Sequence, residues 1–300
     1  MADLNALRKK FAVPGILFDT LNELAFVRID MPEARATVFL QGAHLADWQP
    51  VNFGPAIMLS HESEFAPGKA IRGGVPVIFP WFAGDKKRDR INGHPGPSHG
   101  FAKTEEWTLD TVQREPTGMK LLFKLGPSEE SRSMGYDHFQ LSLEFTIGAE
   151  LTIRYGVQNT GDAPLEFEQA LHTFYEIADI HETTVSGLEQ TSFIDKTDAM
   201  KVKPLAGEAI HFTGTVDRVY ENTSATCVIH DVAGRRRITA RKSGSNTTIV
   251  WNPGKALPDL GEWEWHSMVA VETANVGVNA MKLASGASST MELHVALEHA

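Results

Sequence analysis

Alternation with a period of two runs through much of the chain. Between residues 139 and 147 the apolar positions are Phe139, Leu141, Leu143, Phe145 and Ile147, with Gln140, Ser142, Glu144 and Thr146 between them. Successive side chains of a strand point to opposite faces, so this segment predicts a half-buried β-strand. Leu151, Ile153, Tyr155 and Val157 alternate with Thr152, Arg154 and Gln158 in the same way, and Met291, Leu293, Val295 and Leu297 with Thr290, Glu292 and His294. Shorter β-rich runs fall at 25–30, 36–40, 75–79, 119–125, 165–177, 225–230, 235–241, 247–252 and 268–273. Helical periodicity is scarce. Leu4, Leu7 and Phe11 can share one face of a short helix before Pro14 stops it. Turn chemistry separates the runs at Asn159-Thr160-Gly161-Asp162, Gly148-Ala149 and Gly234. The pattern predicts an all-β chain of antiparallel sheets stacked face to face, in one domain covering residues 1–300. A polar stretch from Gly84 to Pro97 interrupts it and reads as a surface loop.

Composition narrows the function. With 42% hydrophobic residues the chain can bury a large core, and it contains no 18-residue apolar run of the kind that crosses a bilayer. Its first twenty residues carry no signal-peptide pattern, so a cytoplasmic protein without a membrane partner is expected. A formal charge of −10 repels phosphate backbones, which argues against nucleic-acid binding. A small anionic substrate would need a local basic pocket. Cys227 is the sole cysteine, which excludes an intramolecular disulfide and suits a small buried residue. No apolar surface patch can be read off the sequence, and a monomer is expected.

Four segments combine polar groups with strand or turn patterns in ways that suggest chemistry. Arg72-Gly73-Gly74 precedes an apolar run ending in Pro80-Trp81; the glycines allow close backbone approach, and Arg72 offers a forked donor to phosphate or hydroxyl oxygens. Ser98-His99-Gly100-Phe101-Ala102-Lys103 places a histidine in a turn with a cation four residues on. In Leu171-His172-Thr173-Phe174-Tyr175-Glu176, strand geometry sets His172, Phe174 and Glu176 on one face, opposite Leu171, Thr173 and Tyr175. A histidine can give and recover a proton near neutrality. Glu272 lies inside the nearly apolar Met268–Asn275 run, where an unpaired carboxylate is costly unless it meets a cavity or donors. Trp251 could stack on a sugar face and Asp195 could bind a hydroxyl; packing explains either tryptophan, Trp81 or Trp251, equally well. HExxH, paired-cysteine, GxGxxG, GxxxxGK[ST] and GxSxG patterns are all missing, so no metal or cofactor is expected.

Taken in order, these segments resemble the glucose-6-phosphate 1-epimerases, or hexose-6-phosphate mutarotases, of the aldose 1-epimerase superfamily. The likeness runs from Leu40-Gln41-Gly42-Ala43-His44 through Arg72-Gly73-Gly74-Val75-Pro76, Ser98 to Lys103, Leu171 to Phe174, Phe193-Ile194-Asp195-Lys196, Thr215 to Tyr220 and Trp251-Asn252-Pro253-Gly254 to Val271-Glu272-Thr273-Ala274. It implies a galactose-mutarotase-like β-sandwich with few short helices, acting on a sugar phosphate without a cofactor. It also implies that His172 is the catalytic acid and Glu272 the base, that Arg72, Ser98, Lys103 and Asp195 bind substrate, and that His99 lies near the ring oxygen. Ser98 stands where relatives often have glutamine and Lys103 where they have arginine; lysine keeps the charge but loses the forked geometry. Arg72 and Lys103 are the candidates for the 6-phosphate, with Lys86, Lys87, Arg88 and Arg90 at the rim. A neutral-sugar mutarotase, a sugar-phosphate-binding protein without turnover and a glycoside hydrolase are the alternatives. The last usually needs two carboxylates, whereas the resemblance pairs Glu272 with a histidine.

Overall fold

The alternating segments assemble into the larger of two extended antiparallel sheets. The computed structural model describes residues 3–84, 96–204 and 207–300. A nine-stranded sheet runs in the order Ile210–His211, Thr183–Ser186, Cys227–Asp231, Arg236–Ser243, Ser288–His299, Leu151–Asn159, Phe139–Ile147, Gly118–Leu125 and Thr108–Glu115. The register of its central pair, Leu143 opposite Tyr155 and Phe145 opposite Ile153, puts every apolar position of both strands on one buried face.

An eight-stranded sheet follows the order Lys201–Lys203, Phe193–Asp195, Val216–Glu221, Thr247–Asn252, Met268–Asn275, Gln169–Leu171 and Val77–Ile78, and Phe174–Glu176 also pairs with Met268–Asn275. All eight residues of Met268–Asn275 are buried, so this central strand shows no alternation. Its odd-numbered residues Val269 and Val271 join Leu171, Tyr175 and Val250 in the main core, together with Phe145, Ile153 and Leu293 of the nine-stranded sheet. The other face carries a smaller apolar cluster of Ile78, Ala170, Val219, Ile249 and Ala274, with Phe82 and Ile194 packed against it. One face of this sheet therefore builds the fold, and the other remains for chemistry.

A four-stranded sheet (Ile16–Leu21, Leu24–Asp30, Ala34–Phe39, His44–Pro50) and a two-stranded one (Leu165–Phe167 with Met281–Leu283) complete the strands. The helices are short. Leu4–Lys10 is capped by the Asp3 carboxylate, and Glu129–Ser133, absent from the sequence expectation, is held by a Ser128 and Ser131 capping box. The β-rich run at 165–177 is not one strand but three. The Glu168 carboxylate takes the N–H groups of Phe82 and Gly277 at 2.8 and 2.9 Å, where the chain passes from Leu165–Phe167 into the eight-stranded sheet.

A buried ion pair ties the layers together. Arg236 donates from Nε to Asp231 at 2.9 Å, from Nη1 to the Pro55 carbonyl at 2.8 Å and from Nη2 to the Glu176 carbonyl at 2.6 Å. The other Asp231 oxygen accepts from Ala178 and Gly234, each at 3.0 Å. Both side chains are thus desolvated and fully engaged, linking a hairpin within the nine-stranded sheet to the end of a strand in the other.

Candidate acid–base site

His172 and Glu272 are brought together by strand register. Leu171 pairs with Thr273 and Phe174 with Ala270, so the same register continued through the two-residue gap between them sets His172 opposite Glu272. Directly opposed residues of antiparallel strands project to the same face. The His172 N–H leaves the ladder to donate to the Pro76 carbonyl at 3.0 Å. The outcome is a contact of 3.4 Å between His172 Nε2 and Glu272 Oε1, with the histidine side chain 13% exposed and the glutamate 1%. Phe174, on the same face two residues on, stacks against the imidazole with centroids 4.6 Å apart and planes 6° from parallel.

Further rows of this face extend the site. Asp217 pairs with Trp251 and Trp251 with Ala270, while Val219 pairs with Ile249 and Ile249 with Glu272. Asp217, Trp251, Phe174, His172 and Glu272 therefore share one side of the sheet. Three buried polar atoms on it, Glu272 Oε2, His172 Nδ1 and Asp217 Oδ1, find no hydrogen-bond partner among the described residues. Leaving such atoms unpaired costs about 1–3 kcal/mol each, so the face is built to receive polar groups from outside the chain.

Burial decides the resting charge of the pair. It holds His172 well below 6.5, with the nearby His99 and Arg72 acting in the same direction. It raises Glu272 well above 4.5, with Lys196 opposing and Asp217 reinforcing the shift. Both shifts favour the uncharged form of the pair, a neutral imidazole beside a protonated carboxyl. The sign of the pH response follows. Below the lowered histidine value the pair takes a second proton and no base remains, so kcat/KM should fall only well under pH 6.5. An acid limb centred at or above that pH, measured with a substrate that does not itself titrate there, would contradict this.

His99 is fixed as a neutral donor. Its Nδ1 accepts the Ala83 N–H at 3.2 Å, and the His99 backbone N–H donates to the Ala83 carbonyl at 2.8 Å. Burial, then Lys103, Lys196 and Arg72, depress its pKa to about 4, so Nε2 carries the ring proton. The turn that presents it needs positive φ at both His99 (63°) and Gly100 (69°). A Cβ on Gly100 would sit 2.0 Å from the Phe79 carbonyl oxygen, so only glycine fits there.

A cavity of about 320 Å³ opens at His172, lined also by Arg72, Ser98, His99, Lys103 and Phe174 among others; Glu272 lies behind the imidazole and is not part of its lining. That size is at the lower end for small-molecule sites and suits one pyranose. Arg72 lies over the rings of Trp251 and Phe174, 5.8 and 6.0 Å from their centroids, and pairs with the carboxylate of Asp259. Glu62 and Glu64 also line the wall, which makes it less basic than a phosphate pocket was expected to be. Lys103 turns its ammonium onto the carbonyls of Ser98 and Gly100, the latter at 3.1 Å, and burial lowers its pKa to about 8. Its first task is to hold the turn that carries Ser98 and His99.

Two expected binding residues lie elsewhere. Asp195 shares its strand face with the core residue Phe193, and its carboxylate closes a local turn onto the Thr197 N–H and hydroxyl at 2.9 and 2.6 Å. Its neighbour Lys196 takes the face that Asp195 was expected to occupy. Trp81 is 6% exposed, packs on Phe101 and Tyr136, and donates to the Pro97 carbonyl at 2.9 Å, so it anchors the core rather than forming a platform. Lys86, Lys87, Arg88 and Arg90 lie outside the described residues. Lys196, Asp217, Phe82 and Asp259 were not singled out from the sequence, whereas Phe174 was placed there on the face of His172. The i±2 spacing of Lys196 from Ile194, and of Asp217 from Val219, was the available signal, but it acquires meaning only once the buried face is known.

A histidine in contact with a buried glutamate on the outer face of a large antiparallel sandwich, the histidine lining a pyranose-sized cavity, fits a sugar-converting protein of the mutarotase type. Comparison with known proteins agrees: the family model described as aldose 1-epimerase matches residues 26–296, and the chain belongs to that family. It is similar to a protein from Escherichia coli (strain K12) provisionally named a glucose-6-phosphate 1-epimerase, at 36% identity over 258 residues, covering 85% of this chain and 84% of the relative. A protein of the same provisional name from Salmonella typhimurium is 34% identical over 280 residues, covering 89% and 91%. The crystal structure of a provisionally assigned mutarotase, YeaD, from Salmonella typhimurium superposes with a TM-score of 0.88 at 29% identity, over 98% of this chain and 100% of that one.

Proposed function

We propose that this protein interconverts the α and β anomers of an aldohexose 6-phosphate, glucose 6-phosphate foremost, by opening and reclosing the ring. The observation that carries the reading is the direct contact of His172 with Glu272. Ring opening must remove a proton from O1 and supply one to O5, and both oxygens are bonded to C1. The base and acid that serve them must themselves be neighbours.

With the shared proton on His172, Glu272 takes the O1 proton as the C1–O1 double bond forms. The C1–O5 bond breaks, and its electron pair receives the proton from His172. The free aldehyde turns about C1–C2, O5 attacks the other face of C1 and returns its proton to His172, and protonated Glu272 returns one to O1. Both groups end as they began. Concerted transfer avoids a free alkoxide or a full oxocarbenium. Trp251 and Phe174 supply an aromatic wall for the apolar face of the ring, and Asp217 an acceptor for a hydroxyl. Arg72, with Lys103 behind it, is the cation for the phosphate.

Anomer exchange followed by NMR tests the substrate class. The wild type should show a higher kcat/KM for glucose 6-phosphate than for glucose. Arg72→Met should lower the phosphate-sugar value by roughly 10–100-fold, the worth of a charge-assisted hydrogen bond, and the glucose value far less. Equal specificity constants for the two sugars would assign the site to a neutral-sugar mutarotase instead.

A further inference from the structure

Lys196 is the buried-face cation that none of the steps above uses. Its N–H donates to the Asp217 carbonyl at 2.9 Å, continuing the ladder one residue past Phe193–Asp195. Its ammonium meets the Asp217 carboxylate at 3.0 Å and lies 5.8 Å from the centroid of Phe82. Phe82 in turn stands edge-on to His99 at 4.7 Å and lies 6.5 Å from the imidazole of His172. The lysine is thus held by an ion pair, a ring and a backbone bond. Its side chain is only 28% exposed and that of Asp217 21%, so the charge acts through little solvent.

We propose that Lys196 is a positioning residue for the acid–base pair: clamped on Asp217 and Phe82, it is the fixed positive charge that lets Glu272 release its proton as sugar enters. The proposal rests on His172 and Glu272 being that pair. The surroundings support the division of labour. Glu272 faces a buried environment with Asp217 as a like charge, both of which keep it protonated, and Lys196 opposes them. His172 faces His99 and Arg72 as well as Lys196, all of which discourage a second proton on the imidazole. Lys103 acts on His99, one group further out. Without the lysine, Glu272 would hold its proton more tightly and Asp217 would lose its partner.

Lys196→Met tests this against Lys196→Arg, with kcat, KM and the pH profile measured by NMR anomer exchange. Lys196→Met should lower kcat roughly tenfold, the equivalent of one pKa unit, change KM little and move the acid limb of kcat/KM to higher pH. Lys196→Arg should restore most of both. A loss confined to KM, or a full-rate Lys196→Met enzyme with an unmoved acid limb, would overturn the proposal. Lys196→Gln serves if the methionine variant does not fold. A second measurement is independent of turnover: in the ligand-free protein, the imidazole nitrogens of His172 should titrate at higher pH in Lys196→Met than in wild type. An unchanged titration overturns the proposal even if wild type acts on no hexose phosphate, whereas a shifted titration in an inactive wild type would instead overturn the proposed activity.

Discussion

Glu272→Gln is expected to lower kcat/KM for anomer exchange by roughly 10²–10⁴, and His172→Asn by a similar factor, with the double variant little worse than either. Each substitution removes one end of a coupled transfer, so the remaining group has nothing to work with. The amide of glutamine keeps the volume of Glu272 and can still donate to a ring oxygen, but it cannot take the O1 proton. The neutral contact of 3.4 Å would then persist in shape and fail in chemistry. Spontaneous mutarotation sets a floor, so the measurement should use exchange rates at several enzyme concentrations. A Glu272→Gln enzyme whose slope against concentration matches wild type would remove Glu272 from the mechanism.

Arg236→Met should destabilise the fold by about 3–5 kcal/mol, because it strands the fully buried Asp231 carboxylate and two carbonyls in a dry layer. In a chain of this length that corresponds to a fall in Tm on the order of 10 °C. The site lies on a different set of rows, so folded Arg236→Met protein at low temperature should keep near-wild-type kcat. A melting temperature unchanged within a degree or two would show that the pair is dispensable. Loss of kcat without loss of Tm would show that it reaches the site by a route the structure does not contain.

The fold was legible where one sheet face meets solvent. Phe139–Ile147, Leu151–Asn159 and Ser288–His299 alternate because their polar faces are outside, and they form the middle of the nine-stranded sheet. The run at 165–177 was misread as continuous because its changes of partner are set by segments far away in sequence: Leu165–Phe167 pairs with Met281–Leu283, whereas Gln169–Leu171 pairs with Met268–Asn275 and Val77–Ile78. Ile16–Leu21 and His44–Pro50 went unrecognised; one is largely exposed and the other nearly all buried, so neither alternates cleanly. At the site, His172 and Glu272 stood out as polar residues in apolar strands, and the family likeness gave each a role. Asp195 was named from the sequence and its neighbour Lys196 was not, for a plain reason. Adjacent residues of a strand face opposite ways, and which of them faces the site is set by the packing of Phe193, which sequence alone does not display.

The strand Met268–Asn275 divides its side chains strictly between two environments, Val269 and Val271 inward and Glu272 outward. Its tolerance to length change should follow from that division. Adding or deleting one residue inside it would drive the carboxylate among the valines and present a valine to the sugar, spoiling structure and turnover at a single stroke. Loops beyond its ends carry no such parity. Natural insertions should accumulate there, leaving the spacing from Met268 to Asn275 as a fixed measure along which the enzyme cannot drift.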